Sequence, residues 1–257
     1  MYKFLLLDID NTLLDFDTAE RRGFQKIIEL SGLEFQPEML TRYKVINRRL
    51  WDGLEQETVG REEVFNTRFR EFFLLYGKEA DGPETEQHYR SLLNESADLL
   101  PHAKETLITL KQMEKKLYSA SNGVYTTQIS RLKKAGIYDL FDGMFISEKA
   151  GSEKPSPHFF EYCFKNIPGF EKEETLMVGD SLTSDIQGAV NAGIDSCLVL
   201  GTGAGAPGAA VSDSSDTAVS GFSAQPAAKN RLKGSVPYTY SIQDISGLLN
   251  LPSSAKN

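Results

Sequence analysis

Short apolar segments alternate with amphipathic helical segments along most of this 257-residue chain, and this alternation constrains the fold more than any other feature. The first apolar segment, residues 4–7, contains only Phe and Leu, which is typical of a strand covered on both faces of a parallel sheet. Because parallel strands need crossover connections, the alternation predicts an α/β fold, a Rossmann-like parallel sheet with helices on both faces. Further strands are predicted at 117–120, 144–146, 175–178 and 196–200, and helices at 107–113, 127–135, 157–167, 186–192 and 242–249.

A long helical insertion, residues 15–100, separates the first predicted strand from the rest of the α/β core. Apolar residues recur at helical spacing in four segments of this insertion, for example Phe24, Ile27 and Ile28 in the first. Four amphipathic helices can bury their apolar faces against one another. The sequence therefore predicts an α/β core and an inserted all-α helical-bundle cap domain, with the core formed by residues 1–14 and 101–257 and the cap by residues 15–100.

Two carboxylates directly follow the first strand, in the run Asp8-Ile9-Asp10-Asn11-Thr12. Parallel strands present functional groups at their carboxyl ends, so Asp8 is expected at the edge of the sheet where ligands bind. A carboxylate in that place can attack a phosphoryl group, while a second one, Asp10, protonates the leaving oxygen and later activates water. The alternative is a capped turn, because Asp, Asn and Thr all favour turns after strands.

Two further polar clusters lie where predicted strands end or predicted helices begin. Ser121-Asn122-Gly123 follows a strand, and a hydroxyl and backbone N–H groups there can hold phosphate oxygens. The same tripeptide is also an ordinary turn. Lys154 precedes a helix, and its ammonium would keep Asp8 ionised if the two side chains met. Most lysines, however, simply face solvent.

A third cluster, Asp180 and Asp185, follows the strand predicted at 175–178. Mg²⁺ prefers oxygen ligands and keeps several waters, so the carboxylates of Asp8 and Asp180 with the backbone carbonyl of Asp10 form a plausible ligand set. Asp185 could orient a metal-bound water or Lys154. Its alternative role is to place negative charge at a helix N-terminus.

Together these motifs resemble the four signature motifs of the haloacid dehalogenase-like hydrolases, in the family's order and over residues 1 to about 200. The resemblance implies a helical-cap phosphatase with Mg²⁺ as its cofactor. It implies Asp8 as nucleophile, Asp10 as general acid and base, and Lys154 as the cation that neutralises charge. Asp8, Asp10 and Asp180 would lie at the metal. The residues implied to bind phosphate or to support the nucleophile are Thr12, Ser121, Asn122, Lys154 and Asp185.

Some residues resemble the pyrimidine 5′-nucleotidase branch of that superfamily: Asn47, Trp51, Arg68-Phe69 and Ser147-Glu148. This resemblance implies Asn47, Trp51 and Arg68 as candidates for substrate specificity, with an aromatic face for stacking a base and an amide or guanidinium for its polar edge. Trp51 and Phe69 also fall at helical spacings, where packing in a core is the commoner use of an aromatic residue. Packing and substrate contact both stay open for these two side chains.

The composition restricts the partners that this chain is expected to have. It contains 40% hydrophobic and 25% charged residues with a formal net charge of −8, and such acidity argues against a nucleic-acid polymer as partner. No apolar run is long enough to cross a bilayer, and the run at 1–7 is too short and too quickly interrupted by Asp8 for a signal peptide. We therefore expect a small phosphorylated metabolite as partner, no membrane, and a cytoplasmic location.

Two other features of the chain carry no chemistry of their own. Residues 201–236 are rich in Gly, Ala and Ser, and such a segment cannot bury enough apolar surface to offset the cost of ordering, so we expect a mobile or irregular insertion. The two cysteines, Cys163 and Cys197, fall in a predicted helix and a predicted strand and are expected to be core residues without a disulfide.

The function that these features favour is Mg²⁺-dependent hydrolysis of a phosphomonoester through a phosphoaspartate, with nucleoside 5′-monophosphates as preferred substrates. Two alternatives stay open. A sugar phosphomutase or a 2-haloacid dehalogenase would use the same core, although Asp10 counts against a dehalogenase because that reaction has no alkoxide to protonate. A non-catalytic binding scaffold is the third interpretation, and the retained catalytic residue types count against it.

Overall fold

The computed structural model describes residues 2–201 and 236–252, which form a six-stranded sheet in which each pair of neighbouring strands is parallel. The predicted α/β core with a parallel sheet is therefore confirmed. The strands are β1 Phe4–Leu7, β2 Lys116–Ser121, β3 Gly143–Ile146, β4 Thr175–Gly179, β5 Asp195–Val199 and β6 Tyr240–Ile242, and their order across the sheet is β3-β2-β1-β4-β5-β6.

The strand order reverses next to β1, at the centre of the sheet. From β1 the chain builds outward through β2 and β3 on one side, and it then returns to build β4, β5 and β6 on the other. Leu7 of β1 therefore lies opposite Ser119 on one side and Val178 on the other. Open parallel sheets bind ligands in the crevice at such a reversal, beyond the carboxyl ends of the strands. Asp8 and Asp180, which follow β1 and β4, are placed at this crevice.

Helices connect the strands, and several of them begin at residues that favour helix starts. The side chains of Asp15 and Asp81 accept bonds of 2.9 Å from backbone N–H groups in the first turns of two helices, and proline occupies the first turn of three. The α-helices of the described residues are α1 Phe16–Leu30, α2 Pro37–Glu55, α3 Arg61–Leu74, α4 Gly82–Glu95, α5 Ala103–Gln112, α6 Tyr125–Lys134, α7 Ser147–Ala150, α8 Pro157–Lys165 and α9 Gln187–Ala192.

The sheet is covered on both faces, as its continuous apolar strands require. Successive residues of β1 point to opposite sides, so that Leu5 and Leu7 pack in one buried cluster and Phe4 and Leu6 in another. The first cluster includes residues of α5 and α6, and the second includes Phe159 and other residues of α8. The buried sheet therefore fixes the positions of the loops that follow its strands.

The helices α1 to α4 of the predicted cap have a hydrophobic core of their own. Its centre is aromatic, with the ring of Tyr43 stacked on Phe24 at 4.6 Å and on Phe69 at 5.1 Å between ring centroids. The chain leaves and re-enters the α/β core through adjacent backbone segments, since Leu14 and Leu99 form an antiparallel bridge. The exact division at residues 14/15 and 100/101 stays a prediction.

The last predicted helix differs in its start and its type. The helix expected at 242–249 is a 3-10 helix at Ile245–Asn250, and Ile242 instead ends the strand β6. Ile242 pairs with Val199 of β5, and this pairing across the sheet overrides the local helical pattern. The Asp244 side chain then accepts a 2.9 Å bond from the N–H of Ser246 and starts the new turn.

Other expectations concern single features of the chain. Cys163 and Cys197 are buried and unpaired, as predicted. The expected mobile insertion at 201–236 lies, apart from its two end residues, outside the described residues. Within 2–201 and 236–252, the structure contains no helix with both the length and the apolar character needed to span a membrane.

Candidate active site

Asp8 and Asp10 lie in a tight loop between β1 and α1. Asn11 adopts the left-handed conformation with φ of 58°, which Asn tolerates better than most residues. Its side-chain oxygen accepts bonds of 3.1 Å from the backbone N–H groups of Phe16 and Asp17 at the start of α1. The loop is thereby closed on itself, and it presents both carboxylates at the carboxyl end of the central strand.

Lys154 is the cation at the centre of the site. Its ammonium donates to Asp8 Oδ1 at 2.7 Å, to Asp185 Oδ1 at 2.5 Å and to the backbone oxygen of Ala120 at 2.5 Å, and the residue is only 1% exposed. Burial alone would lower the pKa of Lys154, but the carboxylates of Asp185 and Asp8 outweigh it and raise the pKa above its usual value. Lys154 is therefore charged at neutral pH, and its ammonium contacts Asp8.

The lysine is held in this position from two directions. The Asn122 side chain accepts from the backbone N–H of Lys154 at 2.8 Å and donates to its backbone oxygen at 2.9 Å. On the other side, Asp185 binds the ammonium and accepts a 3.0 Å bond from the N–H of Ser181. Gly179 makes room for this carboxylate, because a Cβ there would lie 2.1 Å from Asp185 Oδ2.

Carboxylates outnumber cations at the crevice. Oxygen atoms of Asp8, Asp180 and Asp185 lie within 4.8 Å of one another, and these residues could hold a metal ion. Burial raises the pKa of Asp8 well above its usual value despite the lowering effect of Lys154. Burial and then Asp185 raise the pKa of Asp180 to about 7. The excess of negative charge suits a divalent cation, which prefers oxygen ligands.

The Asp10 carboxylate is bonded to two side chains of α6. Gln128 Nε2 donates to Asp10 Oδ2 at 2.6 Å, and the guanidinium of Arg131 is paired with Asp10 Oδ1. Sequence reasoning missed both residues. A detectable sign was present, because Gln128 and Arg131 lie three residues apart on the face of α6 that carries Leu132, where the helical period favours apolar residues.

The predicted phosphate-binding residues lie beside these carboxylates. Ser121 Oγ accepts bonds from the Gly123 N–H at 3.1 Å and from Gln128 Nε2 at 3.0 Å, which leaves its hydroxyl proton to donate to a ligand. Thr12 Oγ1 lies 3.5 Å from Asp180 Oδ1. The Asn122 side chain is occupied by Lys154, so a contact from Asn122 to phosphate would have to come from its backbone.

A cleft of about 480 Å³ opens above the carboxylates and is lined by both the α/β core and the cap, including Asn47, Trp51 and Arg68. Arg68 is 4% exposed, and its Nε and Nη2 each donate to the Glu86 carboxylate at 2.8 Å. Its Nη1 donates to Asn47 Oδ1 at 3.0 Å, and Asn47 in turn donates to Glu20 at 3.2 Å. The guanidinium of Arg68 was expected to contact the polar edge of a base, but its donors are already paired within the cap.

The two cap aromatics differ in their surroundings. Phe69 is fully buried against Tyr43, so packing is its role. Trp51 is half-buried, lines the cleft, and meets Phe65 edge-to-face with 6.0 Å between ring centroids. Packing and ligand contact are both compatible with Trp51, since the residue contacts Phe65 and also lines the cleft.

Arg61 of α3 contacts the α/β core. Its guanidinium donates to Ser147 Oγ at 2.5 Å, to Glu153 Oε1 at 2.8 Å and to the backbone oxygen of Asn122 at 3.3 Å. Ser147, which was noted in the sequence, is thus a contact between the two parts of the chain. Its neighbour Glu148 accepts a 2.7 Å bond from the backbone N–H at the start of α6.

Comparisons with known proteins agree with this geometry. A family model described as haloacid dehalogenase-like hydrolase matches residues 2–193, a range that includes all four motifs. The HAD-hydrolase YfnB of Bacillus subtilis is 41% identical over 196 residues, which cover 76% of this chain and 83% of the relative. The pyrimidine 5′-nucleotidase PynA of Streptococcus pneumoniae is 41% identical over 194 residues, with 76% and 82% covered. A crystal structure of YfnB bound to magnesium gives a TM-score of 0.75 over 77% of this chain and 88% of that chain.

Proposed function

This chain belongs to the haloacid dehalogenase-like hydrolases and is a phosphoric monoester hydrolase, and we propose that it hydrolyses nucleoside 5′-monophosphates through an aspartyl phosphate formed on Asp8. The observation that carries the proposal is the position of Asp8, which contacts the Lys154 ammonium at 2.7 Å at the base of a cleft lined by the cap. A nucleophilic carboxylate needs a cation beside it to balance the charge that develops on the transferred group.

The reaction runs in two steps. A carboxylate oxygen of Asp8 attacks phosphorus, the bond to the ester oxygen breaks, and the proton of Asp10 passes to that leaving oxygen. Asp10, now a carboxylate, removes a proton from water, which attacks the phosphorus of the aspartyl phosphate. Inorganic phosphate leaves and Asp8 is restored. Lys154 balances the added negative charge, and the Ser121 hydroxyl donates to a phosphoryl oxygen.

Mg²⁺ is the cofactor that the acidic cluster fits best. The carboxylates of Asp8 and Asp180 and the backbone carbonyl of Asp10 would hold it, because both oxygens of Asp185 already accept bonds from Lys154 and Ser181. When bound, the ion supplies positive charge beside the phosphoryl group. The relative YfnB, whose crystal structure is described as bound to magnesium, supports this part of the proposal.

A nucleotide is favoured as substrate by the cap. Trp51 offers an aromatic surface to the cleft, and Asn47 lies beside it with an amide. The similarity to PynA, a pyrimidine 5′-nucleotidase, supports the same substrate class. Because the cap covers the carboxylates, it would also keep bulk water from the reaction. We also propose that the protein acts in the cytoplasm and that its partner is a small phosphorylated metabolite.

The experiment that tests this function is a phosphate-release screen over nucleoside monophosphates and sugar phosphates, with Mg²⁺ and with EDTA. We expect release from nucleoside 5′-monophosphates that depends on Mg²⁺. Transfer of phosphate between sugar phosphates without release would instead indicate a mutase. If no ester reacts, the result would favour a non-catalytic binding scaffold.

Replacing Trp51 with alanine is expected to raise KM for uridine 5′-monophosphate about tenfold, since stacking of a base on an aromatic side chain contributes roughly 1–3 kcal/mol. KM for glycerol 2-phosphate, which has no base, should change by less than about twofold. Tyr76→Ala is the matched control, because Tyr76 packs on Phe72 in the cap and does not line the cleft. Equal effects of Trp51→Ala on both esters would show that Trp51 only packs.

The affinity for Mg²⁺ should depend on pH, because Asp180 with its pKa raised to about 7 must lose a proton before it can bind the ion. About a tenth of a group with this pKa is ionised at pH 6 and about nine tenths at pH 8, so we expect roughly tenfold weaker binding at pH 6. The raised pKa of Asp8 acts in the same direction. Calorimetric titration of the protein with Mg²⁺ measures this, with Asp180→Asn as the weak-binding control. An affinity independent of pH would contradict the assignment of Asp180.

A further inference from the structure

Asp10 is held at both of its carboxylate oxygens by side chains of α6. Gln128 Nε2 donates to Oδ2 at 2.6 Å, and the guanidinium of Arg131 pairs with Oδ1. A carboxylate that is bonded at both oxygens has little freedom to rotate about its side-chain bonds. The orientation of the proposed acid and base is thus set by two residues to which no role has yet been given.

Arg131 is an unusual side chain for this position. It is 1% exposed and is among the largest fully buried side chains of the described residues. Its Nε donates to the backbone oxygen of Ser96 at 3.3 Å, and its guanidinium lies 5.6 Å from the centre of the Phe16 ring. Because desolvation makes a buried ion pair weak evidence for stability, fixing the geometry of its partner is the better physical account.

Gln128 connects Asp10 to the phosphate side of the site. The same Nε2 that donates to Asp10 also donates to Ser121 Oγ at 3.0 Å, and Arg131 donates to Gln128 Oε1 at 3.2 Å. A Cβ at position 123 would lie 2.4 Å from this nitrogen, so Gly123 leaves the room that the amide occupies. The hydroxyl proposed to bind phosphate and the carboxylate proposed to protonate the leaving oxygen are therefore kept at a fixed separation.

We propose that Gln128 and Arg131 are positioning residues that hold the Asp10 carboxylate where it reaches the leaving oxygen of an ester whose phosphate is bound at Ser121. This inference rests on the proposed function and extends it. A general acid must lie within hydrogen-bond reach of the atom that it protonates, and loss of that contact costs part of the roughly 10²–10⁴-fold contribution of general acid catalysis.

The test compares two esters with different leaving groups in the Gln128→Met variant. Uridine 5′-monophosphate releases an alkoxide that needs a proton, whereas 4-nitrophenyl phosphate releases a stable phenolate that needs none. We expect kcat/KM for the nucleotide to fall by about 30-fold or more and kcat/KM for the nitrophenyl ester by less than about threefold. Gln112→Met, an exposed substitution at the end of α5, is the matched control and should change neither value.

A second measurement separates positioning from a general loss of structure. In an Asp10→Asn background, Gln128→Met should have no further effect on the nucleotide, because residues that act through one another are not additive. Arg131→Lys, which keeps the charge, should show the same selective loss as Gln128→Met. Equal losses on both esters, or a full additional loss in the double variant, would overturn this inference alone. If the wild-type protein releases phosphate from neither ester, the proposed function itself fails.

Discussion

The Asp8→Asn variant is expected to lose turnover of uridine 5′-monophosphate by about four orders of magnitude or more. The asparagine amide is a poor nucleophile, so no aspartyl phosphate can form, and the remaining residues only bind the substrate. The fold should persist, because Asn has nearly the volume of Asp and Lys154 keeps its partner Asp185 at 2.5 Å. Burial raises the pKa of Asp8, so its ionised form is disfavoured in the folded state, and its removal should not lower Tm.

Two measurements check this expectation. Steady-state phosphate release gives the loss of turnover, with Asp139→Asn as a control because Asp139 is exposed and does not line the cleft. Acid quenching with radiolabelled 4-nitrophenyl phosphate, whose leaving group needs no proton from Asp10, should then trap a phosphorylated protein in the Asp10→Asn variant but not when Asp8 is also replaced. Turnover near the wild-type value, or a phosphoenzyme that survives the loss of Asp8, would remove Asp8 as the nucleophile.

The convergence of the core motifs could be predicted because strand ends carry positional information. Asp8 and Asp180 each directly follow a short apolar segment, and parallel strands bring their carboxyl ends to the same edge of a sheet. The alternation of strands and helices therefore predicted that these residues share one edge of the sheet, and the reversal of strand order next to β1 brings them close together. The cap helices were equally accessible, since their apolar residues recur at a clear helical period.

Contacts between distant residues were not accessible in the same way. Arg131 and Asp10 are 121 residues apart, and nothing in the local sequence of α6 names the partner of a buried arginine. For Arg68, the resemblance to the nucleotidases implied a contact with substrate. In the structure, Arg68 is buried and its guanidinium donates to Glu86 within the cap. The start of the final helix was mispredicted for a related reason, because Ile242 pairs with Val199 of β5 and the helix begins only at Ile245.

Replacing Lys154 with methionine is expected to abolish activity and to lower the free energy of unfolding by about 3–5 kcal/mol, the usual cost of removing one partner from a buried ion pair. Methionine has a similar volume, so the loss reflects charge: Asp8 and Asp185 would both stay buried without their ammonium. Lys154 also lowers the pKa of Asp8, so that pKa should rise further in the variant. The folded state would then bind more protons than the unfolded state, and stability would fall as pH rises.

Denaturant unfolding of the metal-free variant at pH 5 and pH 8 tests this sign, because the deficit relative to wild type should be larger at pH 8. A Lys154→Met/Asp185→Asn double variant removes one of the two orphaned carboxylates, and it should regain at least about 1 kcal/mol of stability while staying inactive. The Lys154 ammonium has two roles: it offsets buried negative charge in the resting protein, and it balances the charge of the transferred group during the reaction. A double variant that regains stability but not activity would separate these two roles. A deficit that is the same at both pH values, or a double variant less stable than the single one, would show that Lys154 contributes through packing and not through its charge.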